Sequence, residues 1–149
     1  MVLVVPRLKM LEELNKTDWE KLKFPGMPKL ILSLASTDDK LREQAYDELY
    51  DGGIPELTYA TPYIIPFLVK LLRLPNVKQK YSILLLLTQI CGNAMAYVTQ
   101  THSASAHNIV REITKGIDLY PMFLDDEDTA DIAAQLLDYL NAYKNLVAM

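Results

Sequence analysis

The stretch Gly116-Ile-Asp-Leu-Tyr-Pro-Met-Phe-Leu-Asp-Asp-Glu-Asp-Thr-Ala-Asp-Ile-Ala-Ala-Gln-Leu-Leu-Asp-Tyr-Leu140 decides the fold. Its first half is apolar and holds a proline, Pro121. It runs into Asp125, Asp126, Glu127 and Asp128, four acids in a row. Negative charge is favoured where a helix begins, because the unpaired N–H groups of the first turn carry partial positive charge. Beyond the acids, Ile132, Ala133, Leu136, Leu137 and Leu140 recur at intervals of three and four. That is the spacing of one apolar helical face. The stretch reads as a helix, an acidic turn and a second helix.

The same unit repeats toward the N-terminus. Thr61 reads as an N-cap with Pro62 at the first helical position, followed by Ile64, Ile65, Phe67, Leu68, Leu71 and Leu72. Pro66 lies close enough to the start to kink this helix rather than end it. After a turn at Leu74-Pro75, a second helix is predicted from about Val77 to Cys91, stopped by Gly92. Its run Ile83 to Leu87 is apolar all round and is expected to be buried between neighbours. Earlier still, Leu30, Ile31 and Leu34 follow Pro28 at helical spacing. Asp38 and Asp39 open a helix with Leu41, Ala45 and Leu49 on its apolar face, ended by Gly52-Gly53. Thr99 to His107 is polar and reads as an exposed loop leading to Ile109, Val110, Ile113 and Ile117. Strand signals are scarce. The prediction is an all-α single domain over residues 1–149. It consists of three helical hairpins of about 40 residues stacked as a solenoid, behind a short N-terminal helix.

Composition agrees with a packed globular chain. Of 149 residues, 50% are apolar and 23% charged, enough to fill a core and keep a hydrated surface. The single cysteine, Cys91, excludes an internal disulfide and favours a reducing compartment. The opening Met1-Val-Leu-Val-Val-Pro6 is too short for a signal-peptide core, and no aliphatic run approaches a membrane span. A cytoplasmic protein with no membrane partner is expected. Residues 57–111 carry Lys70, Arg73, Lys78, Lys80 and Arg111 with no acid, whereas both flanking segments are net acidic. The cluster Lys70, Arg73, Lys78 and Lys80 is a candidate phosphate-binding patch, but an overall pI near 5.1 argues against a dedicated nucleic-acid binder. Alternatively, the three segments pack side by side and offset one another's fields.

Catalytic constellations are not found. His102 and His107 are the two histidines, too few for a zinc site with its supporting ligands. There is no Gly-x-Ser-x-Gly element for a hydrolase, no glycine-rich phosphate loop and no calcium-loop pattern in the acidic runs. Trp19, the sole tryptophan, reads as a packing anchor. No catalytic residue, metal or cofactor is assigned.

Three segments carry a resemblance. Residues 116–140 and the stretch Leu34-Ala-Ser-Thr-Asp-Asp-Lys-Leu-Arg-Glu-Gln-Ala-Tyr-Asp-Glu-Leu49 each resemble a HEAT repeat. Thr58-Tyr-Ala-Thr-Pro-Tyr-Ile-Ile-Pro-Phe-Leu-Val-Lys-Leu-Leu72 resembles a phrase of small bacterial HEAT-like proteins. Where those relatives carry a histidine-glutamine-glycine element, this chain has Gly53-Ile-Pro-Glu-Leu57. The resemblance spans about residues 17–143 and implies an α-α superhelix whose second helices line a concave side. It also implies a binding scaffold rather than an enzyme.

Nine of the thirteen aromatic residues are tyrosines, side chains suited to half-buried interfaces. Tyr46/Tyr50, Tyr59/Tyr63 and Tyr139/Tyr143 each stand four apart and so share a helical face. With second helices lining the concave side, Glu43, Tyr46, Asp47, Tyr50, Tyr139 and Tyr143 are the candidate residues for binding another protein. Size, acidic ends and absence of assembled catalytic groups fit a protein-binding module such as an immunity or inhibitor protein directed at a toxin. A bilin- or small-molecule-handling enzyme using His102 and His107, and a nucleic-acid binder using the basic middle, are the alternatives.

Overall fold

The computed structural model describes residues 4–75, 77, 79–101 and 103–148, with side chains from Lys9 onward. Its regular structure is entirely helical, and no strand occurs among the described residues. The α-helices are α1 (Val4–Asn15), α2 (Met27–Leu34), α3 (Asp39–Asp51), α4 (Thr61–Arg73), α5 (Tyr81–Thr101), α6 (Ala104–Thr114) and α7 (Ala130–Ala148). Two tighter 3-10 turns, Ile54–Glu56 and Tyr120–Asp125, precede α4 and α7. Helix α2 packs on α3. Helix α4 packs on both α5 and α6, and α5 lies between α3, α6 and α7. One continuous apolar cluster runs from Met10 in α1 to Tyr143 in α7.

Local chemistry explains the helix ends. Asp38 caps α3, its carboxylate accepting from the Lys40 N–H at 2.9 Å. Trp19 is buried as an anchor: its indole N–H donates to the Leu14 carbonyl at 2.7 Å and its ring tilts against Phe67. Helix α4 passes through Pro66, which faces solvent. Thr61 is not the N-cap the sequence suggests, because that position falls to Ala60. Instead the Thr61 hydroxyl is buried and donates to the Ile54 carbonyl at 2.8 Å, tying α4 to the turn before it.

Helix α5 is longer than expected. It runs through Gly92 and includes the polar residues up to Thr101, and within it the hydroxyls of Thr88, Thr99 and Thr101 donate to carbonyls four residues back. The loop anticipated over Thr99–His107 is therefore helical on both sides of a short link, and Ser103 caps α6 by accepting from the Ala106 N–H. Space at position 92 is tight. A Cβ there would lie 3.0 Å from the Tyr139 hydroxyl on α7, so the tyrosine would have to shift by a few tenths of an ångström. By length and hydropathy α5 could cross a membrane, yet 56% of its apolar window is buried within the fold.

Three apolar positions differ from the periodic reading. Leu41 is 46% exposed, while the neighbouring Arg42 folds back over the turn and donates to the Ser36 carbonyl at 2.8 Å. Ile117 is exposed because the chain turns at Gly116, and the fully buried side chain there is Tyr120, whose hydroxyl donates to the Ile113 carbonyl at 2.6 Å. Leu85, placed in a run expected to be buried on all sides, is only half-buried.

Candidate functional site

Helices α3 and α7 flank α5 and leave a groove of about 510 Å³ along it. Leu85, Thr88, Gln89, Gly92 and Asn93 of α5 form the floor. Tyr50 of α3 stands on one wall, with Ile132, Gln135 and Tyr139 of α7 on the other, and Pro55-Glu56 of the turn close one end. The floor residues recur at three- and four-residue spacing, so they are a single stripe of α5. They escaped the sequence reading because the aliphatic run Ile83–Leu87 dominates the helix. The signal was Thr88, Gln89 and Asn93 interrupting that run at helical intervals.

Side chains brace the groove from within. The Tyr46 hydroxyl donates to Gln89 Oε1 at 3.1 Å, and the Tyr46 and Tyr50 rings stack with centroids 6.0 Å apart. Burial, more than any neighbouring charge, raises the Tyr46 phenol above its ordinary pKa. Asn93 Nδ2 donates to the Pro55 carbonyl at 2.5 Å, and Gln135 Nε2 donates to the Tyr139 hydroxyl at 3.2 Å. Glu43 and Asp47 are exposed on α3, three residues before Tyr46 and Tyr50 respectively. Among the described residues, Glu56 is the only charged one lining the groove, and no lysine or arginine does so.

Of the six residues singled out for binding, Tyr50 and Tyr139 line this groove and Tyr46 supports it. Tyr143 does not belong to it. It is 7% exposed, turned toward α6, and its hydroxyl lies 2.9 Å from His107 Nδ1. His107 is likewise half-buried in the first turn of α6 rather than solvated in a loop, and its ring packs against Tyr143 at 5.5 Å. His102 lies outside the described residues. Among the described residues no three histidine, cysteine or acidic side chains converge on a common point. Cys91 is fully buried, and burial pushes its thiol up to about 12.

The basic middle segment does not form one patch. Lys70 pairs with Glu13 of α1, and its ammonium sits 5.4 Å from the Phe67 ring. Arg73 forks onto Asp118 at 2.7 and 3.0 Å, which holds the Asp118 carboxyl below its ordinary range. Lys80 is half-buried, donates to the Leu72 carbonyl at 2.9 Å, and is lowered in pKa by that burial. Lys78 lies outside the described residues. The acids that meet Lys70 and Arg73 come from the two acidic ends of the chain, so the segments offset one another's charge.

A second hollow, of about 790 Å³, lies where α4, α5 and α6 meet the turns around residues 22–24 and 56–59. Tyr59 and Tyr63, the remaining spaced pair, line it with Tyr97, which had not been singled out. Its wall includes Lys23 and Leu57, the two non-glycine residues with left-handed backbone among those described. Compared with protein-family models, with characterised proteins and with solved structures, the chain shows no significant match in any of the three.

Proposed function

We propose that this chain is a non-enzymatic, cytoplasmic protein-binding module whose α3–α5–α7 groove takes a basic segment of another protein. The pairing of α2 with α3 and α4 with α5, and the packing of α4 on α6 and α5 on α7, fit stacked HEAT-like hairpins. In that arrangement α3, α5 and α7 are the second helices. One observation carries the reading: Tyr50 and Tyr139, from the first and last hairpins, line one groove that holds an acid and no base. Aromatic walls supply the area a partner buries, and the acids along α3 steer a basic partner toward it. An immunity or inhibitor protein that occupies a basic toxin surface is the role this chemistry suits. The basic middle offers less for a nucleic acid, since Lys70, Arg73 and Lys80 are all engaged within the fold.

The test is the double variant Tyr50→Ala with Tyr139→Ala. A photoreactive residue at position 50 captures the partner, and affinity for the purified partner is then measured. Loss of roughly 2 kcal/mol or more is expected, the scale of interface hot spots, in a protein that still melts cooperatively although Tyr139 gives up its packing on α5. Unchanged affinity would contradict the reading.

A further inference from the structure

The geometry points to an arginine side chain of the partner as the group that enters the groove between Tyr50 and Tyr139, its guanidinium paired with Glu56. This inference rests on the protein-binding reading above and names the chemistry of its partner. Hydrogen bonds inside the fold decide which polar atoms remain for a ligand. Asn93 commits an amide N–H to Pro55, and Gln135 commits one to Tyr139. Their oxygens, Asn93 Oδ1 and Gln135 Oε1, accept from no described side chain or backbone group. Glu56 is exposed, accepts only, and takes part in none of the ion pairs among the described residues. The groove thus offers one carboxylate and two amide oxygens, which call for a cation rich in donors.

Guanidinium fits this set better than the other cations. It carries five N–H donors in a planar fork and no acceptor, so it can serve Glu56 and an amide oxygen together. Its flat face stacks on a tyrosine ring, and Tyr50, stacked on Tyr46 yet 52% exposed, lines the wall. A lysine ammonium is a compact, strongly hydrated charge with three donors and no planar fork, so it matches a carboxylate and stacks on an aromatic face less well. A divalent metal needs more oxygen ligands than a single carboxylate and two amides provide. Anionic ligands meet no cationic side chain at all. Gln89 has the opposite polarity: its oxygen accepts from Tyr46, which leaves its amide N–H groups for a carbonyl of the same partner segment.

The probe is a capped alanine pentapeptide with a central arginine, titrated into the full chain beside versions carrying lysine or citrulline. The side-chain amide NMR signals of Asn93 and Gln135 report the site. The arginine peptide is expected to shift both signals saturably at millimolar concentration. Lysine in its place, or Glu56→Gln in the protein, should weaken binding by roughly tenfold, the worth of a charge-assisted fork. Citrulline, which keeps the shape without the charge, should bind no better than lysine. Equal binding of the lysine peptide, or no saturable shift at Asn93 and Gln135, overturns the arginine assignment. The parent reading is scored separately: if the Tyr50→Ala, Tyr139→Ala protein still loses its partner, the groove stands and only the arginine falls.

Discussion

Buried hydroxyl and thiol groups show how single residues fix this fold. Tyr120 is fully buried, and its phenol holds the Ile113 carbonyl at the end of α6 while filling the space that Gly116 leaves open. Replacing it by Phe removes this donor and leaves the Ile113 carbonyl to the Gly116 N–H alone, so Tyr120→Phe should cost about 0.5–1.5 kcal/mol in urea unfolding. A loss below the error of that measurement would mean water replaces the phenol. Burial raises the Cys91 thiol from 9.0 to about 12, so the fold favours its neutral form. The sign follows directly. The unfolded thiol ionises first, and this contribution to stability is complete below pH 9 and is lost as pH rises toward 12. Melting temperature should therefore decline across that window, with a shallower slope in Cys91→Ala, and the thiol should resist alkylation at neutral pH in the native state. Rapid native-state labelling would contradict the burial.

Helix α5 is the element on which sequence and structure differ most usefully. Apolar spacing found its buried residues, since Ile83, Leu84, Leu86, Leu87 and Ile90 all lie in the core. It missed the exposed stripe because a run of five aliphatics hides which one faces outward. Leu85 is that residue, half-buried on the groove floor, where a leucine on every side had implied burial. Leu86→Asp should therefore unfold the protein, as a buried unpaired carboxylate costs several kcal/mol. Leu85→Asp should instead leave a cooperative thermal transition, lowered by less. Equal loss of folding in both variants would place Leu85 in the core after all. The length of α5 was also illegible. Gly92 reads locally as a stop, but the helix runs on and the ring of Tyr139 from a distant helix lies close over it. The existence of α5 follows from local periodicity, whereas what packs over the glycine within it comes from far away in sequence.

Across the whole molecule, charge is arranged so that Lys70 and Arg73 of the basic middle are paired while Glu43 and Asp47 of α3 stay exposed. Lys70 and Arg73 meet Glu13 and Asp118 from opposite ends of the chain. Because these pairs are exposed, Arg73→Gln should barely move the melting temperature, and a large loss would show that the pair clamps α4 to the turn after α6. Tyr50 and Tyr139 were legible as candidates from their spacing, but Tyr143 was not separable from Tyr139 by the same pattern. Its burial against His107 depends on how α6 lies on α7, a relation no local signal carries. On the function proposed above, the partner meets the groove face. Hydrogen exchange of the chain, free and bound to the protein captured from position 50, tests it most directly. Added protection is expected in the C-terminal half of α3, in Ile54–Glu56 and in the N-terminal half of α7. Protection confined to α4 and the residues around Lys70 and Arg73, with α3 and α7 unchanged, would contradict it.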